Sequence, residues 1–260
     1  MDECLTRRVR PDGTLQLPVT YLVCNFTRPV DGGESQLTHT EVVTLFHEFG
    51  HALNHLLTRV DVSEVSGING VPWDVVELPS QFNENFAWQK EALPLLSAHV
   101  KTGASLPEDR IAALIAAKNF QSALAMLRQL EFALFDFRIH LEYDPAAGGR
   151  VREILSEVRR AVCVVPVSPL NRFANSFTHV FAGGYAAGYY SYKWAEVLAA
   201  DAFGRFLEEG VFSPGAGADF KRLILASGGA GDPLAAFISF RGREPQVEAL
   251  LRQSGIGPVA

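Results

Sequence analysis

The sequence predicts a mainly α fold with a small β element near its N-terminus. Two observations predict the helical part and one the β element. Apolar residues recur with helical period in long runs from about residue 38 onward. Glycine and proline clusters punctuate those runs, as in chains of helices. β-forming residues with partial alternation stand together in one stretch, Leu15 to Phe26.

Taken in order, residues 1–14 are polar and contain the turn signal Pro11-Asp12-Gly13. Leu15 to Phe26 reads as a strand, and Pro18, which has no N–H, puts it at a sheet edge or a strand start. Such an edge is either an ordinary edge strand or a rail for an extended peptide. Asp31-Gly32-Gly33 reads as a loop. Thr38 or Thr40 caps a helix running to about Thr58. A loop reverses the chain over 59–76, with Gly67, Gly70 and Pro72. A second long helix is expected from near Val76 to about His99, with Pro79 tolerated in its first turn.

After a break from Gly103 to Pro107, Glu108 and Asp109 place acids at the start of another helix. The helical pattern then continues to Tyr143 in two pieces, and Ala147-Gly148-Gly149 ends it. Residues 150–163 form an amphipathic helix, followed by a connector with Pro166 and Pro169. Gly183-Gly184 precedes a helix reaching about Glu209. Two or three short helices follow, separated by Gly215, Gly217, the Gly228–Gly231 cluster and Pro245. No internal repeat is evident.

At 260 residues the chain suffices for one large domain or two small ones, and its 48% hydrophobic content can bury a sizeable core. The net charge of −6, without a basic stripe, excludes nucleic acid as the main partner and suits a small molecule or peptide. Cys4, Cys24 and Cys163 are too widely spaced for a disulfide framework or a metal cluster, which points to a reducing compartment. The first residues lack the apolar core of a signal peptide. The most apolar long stretch, Val180 to Phe203, is broken by glycines and charges, so no membrane span is expected. Together these features predict a soluble cytoplasmic protein.

The first capped helix carries His47-Glu48-Phe49-Gly50-His51, an H-E-x-x-H pattern. Positions i and i+4 lie above one another on a helix, so both imidazoles can reach one ion. Zinc accepts two imidazoles in a tetrahedral shell, and a catalytic site adds a third protein ligand and leaves one position for water. A neighbouring carboxylate, here Glu48, can take that water's proton, which is the chemistry of peptide-bond hydrolysis. A surface helix would match the same pattern, but apolar runs on both sides make this helix largely buried, and buried His and Glu need partners. Glu77 is the preferred third ligand, because it follows the reversing loop and opens the next helix. Asp74 and Glu84 compete for that place. Gln81 and Glu84 can otherwise orient the imidazole N–H groups. His55 extends the same face and is read as a packed, hydrogen-bonded histidine.

A second wall is suggested by Tyr185, Tyr189 and Tyr192, spaced i, i+4, i+7. Three phenols on one helical face suit either the oxyanion side of a site or a wet rim of an amphipathic helix. Gly183-Gly184 permits movement of this wall toward the histidines. Arg241 and Arg243 can bind a peptide carboxylate, but are better read as ties from a C-terminal segment to a neighbouring helix.

His47 to Leu53, Gly67 to Asp74 and Val76-Glu77-Leu78-Pro79-Ser80-Gln81 resemble the M3 metallopeptidases. The resemblance extends over Arg128-Gln129-Leu130-Glu131-Phe132, Ser176 to Trp194 and Phe240-Arg241-Gly242-Arg243-Glu244-Pro245, so it runs through the whole chain. It implies a helical zincin-type catalytic domain with one Zn2+ held by His47, His51 and Glu77, and Glu48 as general base. It implies short peptides as substrates, and His179 and Tyr189 at the scissile carbonyl. Tyr185 and Tyr192 would hold the substrate backbone beside Gly183 and Gly184. Asn54 departs from the histidine that relatives usually carry, outside the zinc set. Family members are also much longer. Residues 1–260 match their C-terminal catalytic portion, so the N-terminal helical region that forms the other channel wall is an expected missing partner. Peptidyl-dipeptidase activity, or a zinc- and peptide-binding fragment without turnover, are the alternatives to an endopeptidase.

Overall fold

The computed structural model describes residues 1–29 and 32–257, and the expected Asp31-Gly32-Gly33 loop begins outside them. The chain is mainly α with a small β element at the N-terminus. β1 (Asp2–Leu5) pairs antiparallel with β4 (Val19–Tyr21), Asp2 opposite Tyr21 and Leu5 opposite Val19. β2 (Arg8–Val9) pairs antiparallel with β3 (Leu15–Gln16). The turn between β2 and β3 is the predicted one. Gly13 takes φ +80°, and Asp12 Oδ1 accepts the Thr14 N–H at 2.9 Å.

The single strand expected from Leu15 to Phe26 is instead two short strands that end at Tyr21. The missing N–H of Pro18 interrupts the ladder, and the polar residues 2–9 supply both partner strands.

α1 (His39–Leu56) starts at Thr38 in a reciprocal capping box. Thr38 Oγ1 accepts the Glu41 N–H at 3.3 Å, and Glu41 Oε2 accepts the Thr38 N–H at 2.7 Å. A 3₁₀ turn (Ser63–Val65) lies in the reversing segment, which closes on α2 (Trp73–Val76). The expected long helix from Val76 to His99 is instead α3 (Leu78–Glu84), a 3₁₀ turn (Asn85–Trp88) and α4 (Leu93–Leu96). Asn85 explains the first break. Its side-chain amide donates to the Gln81 and Phe82 carbonyls at 3.0 and 3.1 Å, in competition with the backbone ladder.

α5 (Glu108–Lys118) and α6 (Ser122–Leu141) are the two expected pieces, divided where Gln121 turns to φ +56°. α7 (Val151–Val162) follows, then the Pro166–Pro169 connector, α8 (Phe173–Ser176) and α9 (Thr178–Phe181). The helix expected directly after Gly184 begins only at Ser191, as α10 (Ser191–Glu209). The chain ends with α11 (Pro214–Phe220), a π turn (Lys221–Leu225), α12 (Pro233–Arg241) and α13 (Glu248–Gln253).

Two apolar cores organise these helices. The first joins Leu78 and Phe82 of α3 to Leu198, Phe203 and Phe206 of α10, Phe220 of α11, and Phe237 and Phe240 of α12. Phe82 lies at its centre, stacked on Phe220 at 3.9 Å. The second joins Phe135 of α6 and Ile154, Leu155 and Val158 of α7 to Phe177, Val180 and Tyr189. Each fully buried side chain of this kind contributes about 1.5–3 kcal/mol. Arg243 grips Asp201 of α10 through two bonds of 2.6 Å, and Arg241 reaches Asp201 and Glu208. Both arginines therefore tie the C-terminal segment to α10, as expected.

Candidate active site

α1 and α3 cross closely at Gly50. A Cβ on this residue would lie 2.4 Å from the Pro79 carbonyl oxygen and 2.5 Å from Ser80 Cα. Only glycine permits that approach, and the approach sets the start of α3 against the histidines of α1. His47 and His51 lie one turn apart with ring centroids 5.0 Å from each other. Glu77, at the junction of α2 and α3, points its Oε2 at both rings, 3.3 Å from His47 Nε2 and 3.2 Å from His51 Nε2. The three side chains bring ligand atoms within 4.8 Å of one another.

Of the three acids weighed as third ligand, Glu77 is the one in this group. Asp74 instead accepts from the Tyr190 hydroxyl, and Glu84 Oε1 lies 2.7 Å from His47 Nδ1. With Nδ1 donating to Glu84, Nε2 is left to face Glu77 and an ion. Gln81 turns away and donates to the Tyr192 carbonyl at 3.1 Å. His55 is fully buried and bonded to the Leu5 carbonyl at 2.8 Å.

The electrostatics fit a cation. Glu77 is only 3% exposed. Burial works to raise its pKa, but hydrogen bonds and charge from His47 and His51 hold the carboxyl well below the usual carboxylate range. Burial depresses His47, yet its bonds to Glu77 and Glu84 outweigh this and raise it to about 10. Two nitrogens and one carboxylate oxygen, converging in a buried place, form a donor set that zinc accepts.

Glu48 lines the same cleft, about 460 Å³ in volume, which Trp73, Tyr185 and Tyr192 also wall. Its carboxylate meets the Met1 ammonium group.

The tyrosine wall is not one helical face. Tyr185 and Tyr189 precede α10 in a turn segment, and only Tyr192 is on the helix. The segment brings them together nonetheless. Tyr185 stacks on Tyr192 at 4.9 Å, and Tyr189 lies 5.2 Å from Tyr192. Tyr185 donates to Glu77 Oε1 at 2.9 Å. Tyr189 is buried in the second core, its hydroxyl 2.9 Å from Gln129 Oε1. His179 is exposed on α9, with its ring 5.6 Å from Tyr189 and 6.1 Å from Tyr192. Gly183 packs where a Cβ would meet the His179 backbone at 3.0 Å, and Gly184 takes φ +84°.

Sequence reasoning missed three contributors. Ser80 donates to Glu77 Oε2 at 3.0 Å, and the Trp73 ring lies tilted against Tyr185 at 4.5 Å. Asp136, fully buried in α6, accepts the Ala187 and Tyr189 N–H groups at 2.9 Å each and so shapes the tyrosine segment. An acid between Phe135 and Phe137 on an apolar helix was a readable signal, because a buried carboxylate must find donors.

The chain matches the model of peptidase family M3 over residues 1–256. It is 56% identical over 256 residues to oligopeptidase A of Salmonella typhimurium and to that of Escherichia coli, covering 98% of this chain and 38% of each relative. It is 46% identical over 263 residues to a probable cytosolic oligopeptidase A of Arabidopsis thaliana, again 98% of this chain and 38% of the relative. The chain thus spans well under half the length of these relatives. A match that runs almost from end to end, over a chain whose His47, His51 and Glu77 converge, identifies it as a member of peptidase family M3.

Proposed function

We propose that residues 1–260 form the C-terminal catalytic portion of a zinc-dependent endopeptidase that hydrolyses short peptides in the cytoplasm. The observation that carries this reading is the convergence of His47, His51 and Glu77 beside Glu48 in one cleft. The oligopeptidase A relatives support the substrate class, and the cytosolic plant relative supports the compartment. His47, His51 and Glu77 would hold the ion, which supplies Lewis acidity and brings the pKa of water down to about 7.

Glu48 acts as general base and takes a proton from the water that attacks the scissile carbonyl. Tyr185 and Tyr192 line the cleft and hold the peptide backbone. His179 and Tyr189 stand behind them and donate to the carbonyl oxygen as it gains charge, once the Gly183–Gly184 segment has moved toward the cleft. The N-terminal region of the longer relatives would supply the opposite wall.

The test is cleavage of an internally quenched peptide by the purified chain, with mass analysis of the products. Cleavage at internal bonds, abolished by chelator and restored by zinc, is expected. Release of C-terminal dipeptides alone would identify a peptidyl-dipeptidase, and zinc uptake without cleavage a binding fragment. Glu48→Gln is expected to lose hydrolysis and retain one zinc per chain. Hydrolysis at the wild-type rate by this variant would remove Glu48 from the base role.

A further inference from the structure

The two oxygens of Glu77 are in different environments. Oε2 faces both imidazoles and accepts from Ser80 at 3.0 Å. Oε1 accepts from the Tyr185 hydroxyl at 2.9 Å, a bond that spans 108 residues of chain. The Tyr185 ring is fixed between Trp73 at 4.5 Å and Tyr192 at 4.9 Å. Glu77 is almost completely buried, so loss of the phenol would cost its Oε1 a buried hydrogen bond.

We propose that Tyr185 is a positioning residue for the metal centre, fixing the rotation of the Glu77 carboxylate so that Oε2 alone is presented to the ion. This rests on the zinc reading of His47, His51 and Glu77. It gives Tyr185 a task in the absence of peptide, apart from any contact with substrate. Partners that orient metal ligands typically contribute about 10–100-fold to metal affinity.

The experiment measures zinc affinity of the full 260-residue chain by competition with a chromophoric chelator, for wild type, Tyr185→Phe and Tyr190→Phe. Phenylalanine keeps the ring contacts and removes only the donor. Tyr190 is the control, because its hydroxyl goes to Asp74 rather than Glu77. Tyr185→Phe is expected to bind zinc about tenfold or more weakly, with Tyr190→Phe within about twofold of wild type. The cobalt-substituted proteins provide a second readout. The visible d–d bands of Tyr185→Phe are expected to differ from wild type, whereas those of Tyr190→Phe match it. A role in packing alone would lower the melting temperature of the metal-free protein without moving the bands. Unchanged affinity and unchanged cobalt bands in Tyr185→Phe would overturn the inference and leave the zinc site standing. A wild-type chain that takes up no stoichiometric zinc would overturn both.

Discussion

Glu77 and Glu84 flank the two nitrogens of His47 and raise its pKa to about 10, which favours the imidazolium form in the metal-free protein at neutral pH. An imidazolium cannot ligate an ion, so metal uptake must release that proton. Zinc affinity is therefore expected to rise about tenfold per pH unit between pH 6.5 and 8.5, one proton being displaced. Competition titrations at several pH values measure this, and a flat profile would show that no proton leaves. The same groups set the stability of the metal-free chain. The raised His47 contributes stability that is complete below its ordinary 6.5 and is lost as pH rises toward about 10. The depressed Glu77 contributes stability that is present above its ordinary 4.5 and is lost as pH falls below it. For this cluster the optimum of the metal-free protein therefore falls between about pH 4.5 and 6.5, on the acid side of the range in which zinc binds best. Denaturant midpoints across pH, with and without chelator, test the separation.

The element that most constrains the site is the crossing of α1 and α3 at Gly50. Gly50→Ala must push the Pro79 and Ser80 backbone aside, and backbone cannot yield as a flexible side chain does. A loss of about 2–4 kcal/mol is expected, together with weakened metal binding, since Glu77 sits just before that backbone. Chemical denaturation and zinc titration of the variant measure both, and wild-type stability would mean that the helices separate at little cost. The elements that were legible in the sequence are those whose signals are local. Thr38, one of two candidate caps, marked the start of α1, and Gly103 to Pro107 marked the break before α5. The H-E-x-x-H spacing placed both imidazoles on one face, and a position after a reversing loop was enough to favour Glu77. The illegible elements depend on distant partners. Asn83 of α3 donates to the Phe46 carbonyl of α1 at 2.6 Å, and Asn85 turns back on its own helix, so a period that reads as one long helix is cut. The tyrosine segment reads as helix by spacing, but Asp136 of α6 takes two of its N–H groups and Ala187 adopts φ +55°. Nothing near Tyr185 in sequence announces that acid.

For the whole molecule, the His47–His51–Glu77 cluster connects parts that otherwise belong to different cores. α3 is built into the first core through Leu78 and Phe82, and the segment carrying Tyr185 runs into the second through Tyr189. Glu77 touches both, the histidines of α1 directly and the tyrosine segment through Tyr185. An ion that binds only when these pieces are assembled stabilises the native state by mass action and gives the unfolded chain little. Free zinc at about 100 times its dissociation constant is worth about 2.7 kcal/mol, which for a chain of this size raises the melting temperature by roughly 5–10 °C. The shift is expected to grow with the logarithm of zinc concentration, to vanish with chelator, and to be absent in His51→Ala, which removes a ligand. Calorimetry of the two proteins with and without zinc decides the matter. A wild-type melting temperature indifferent to zinc would mean that the folded chain does not bind the ion. An equal shift in His51→Ala would place the binding elsewhere on the molecule.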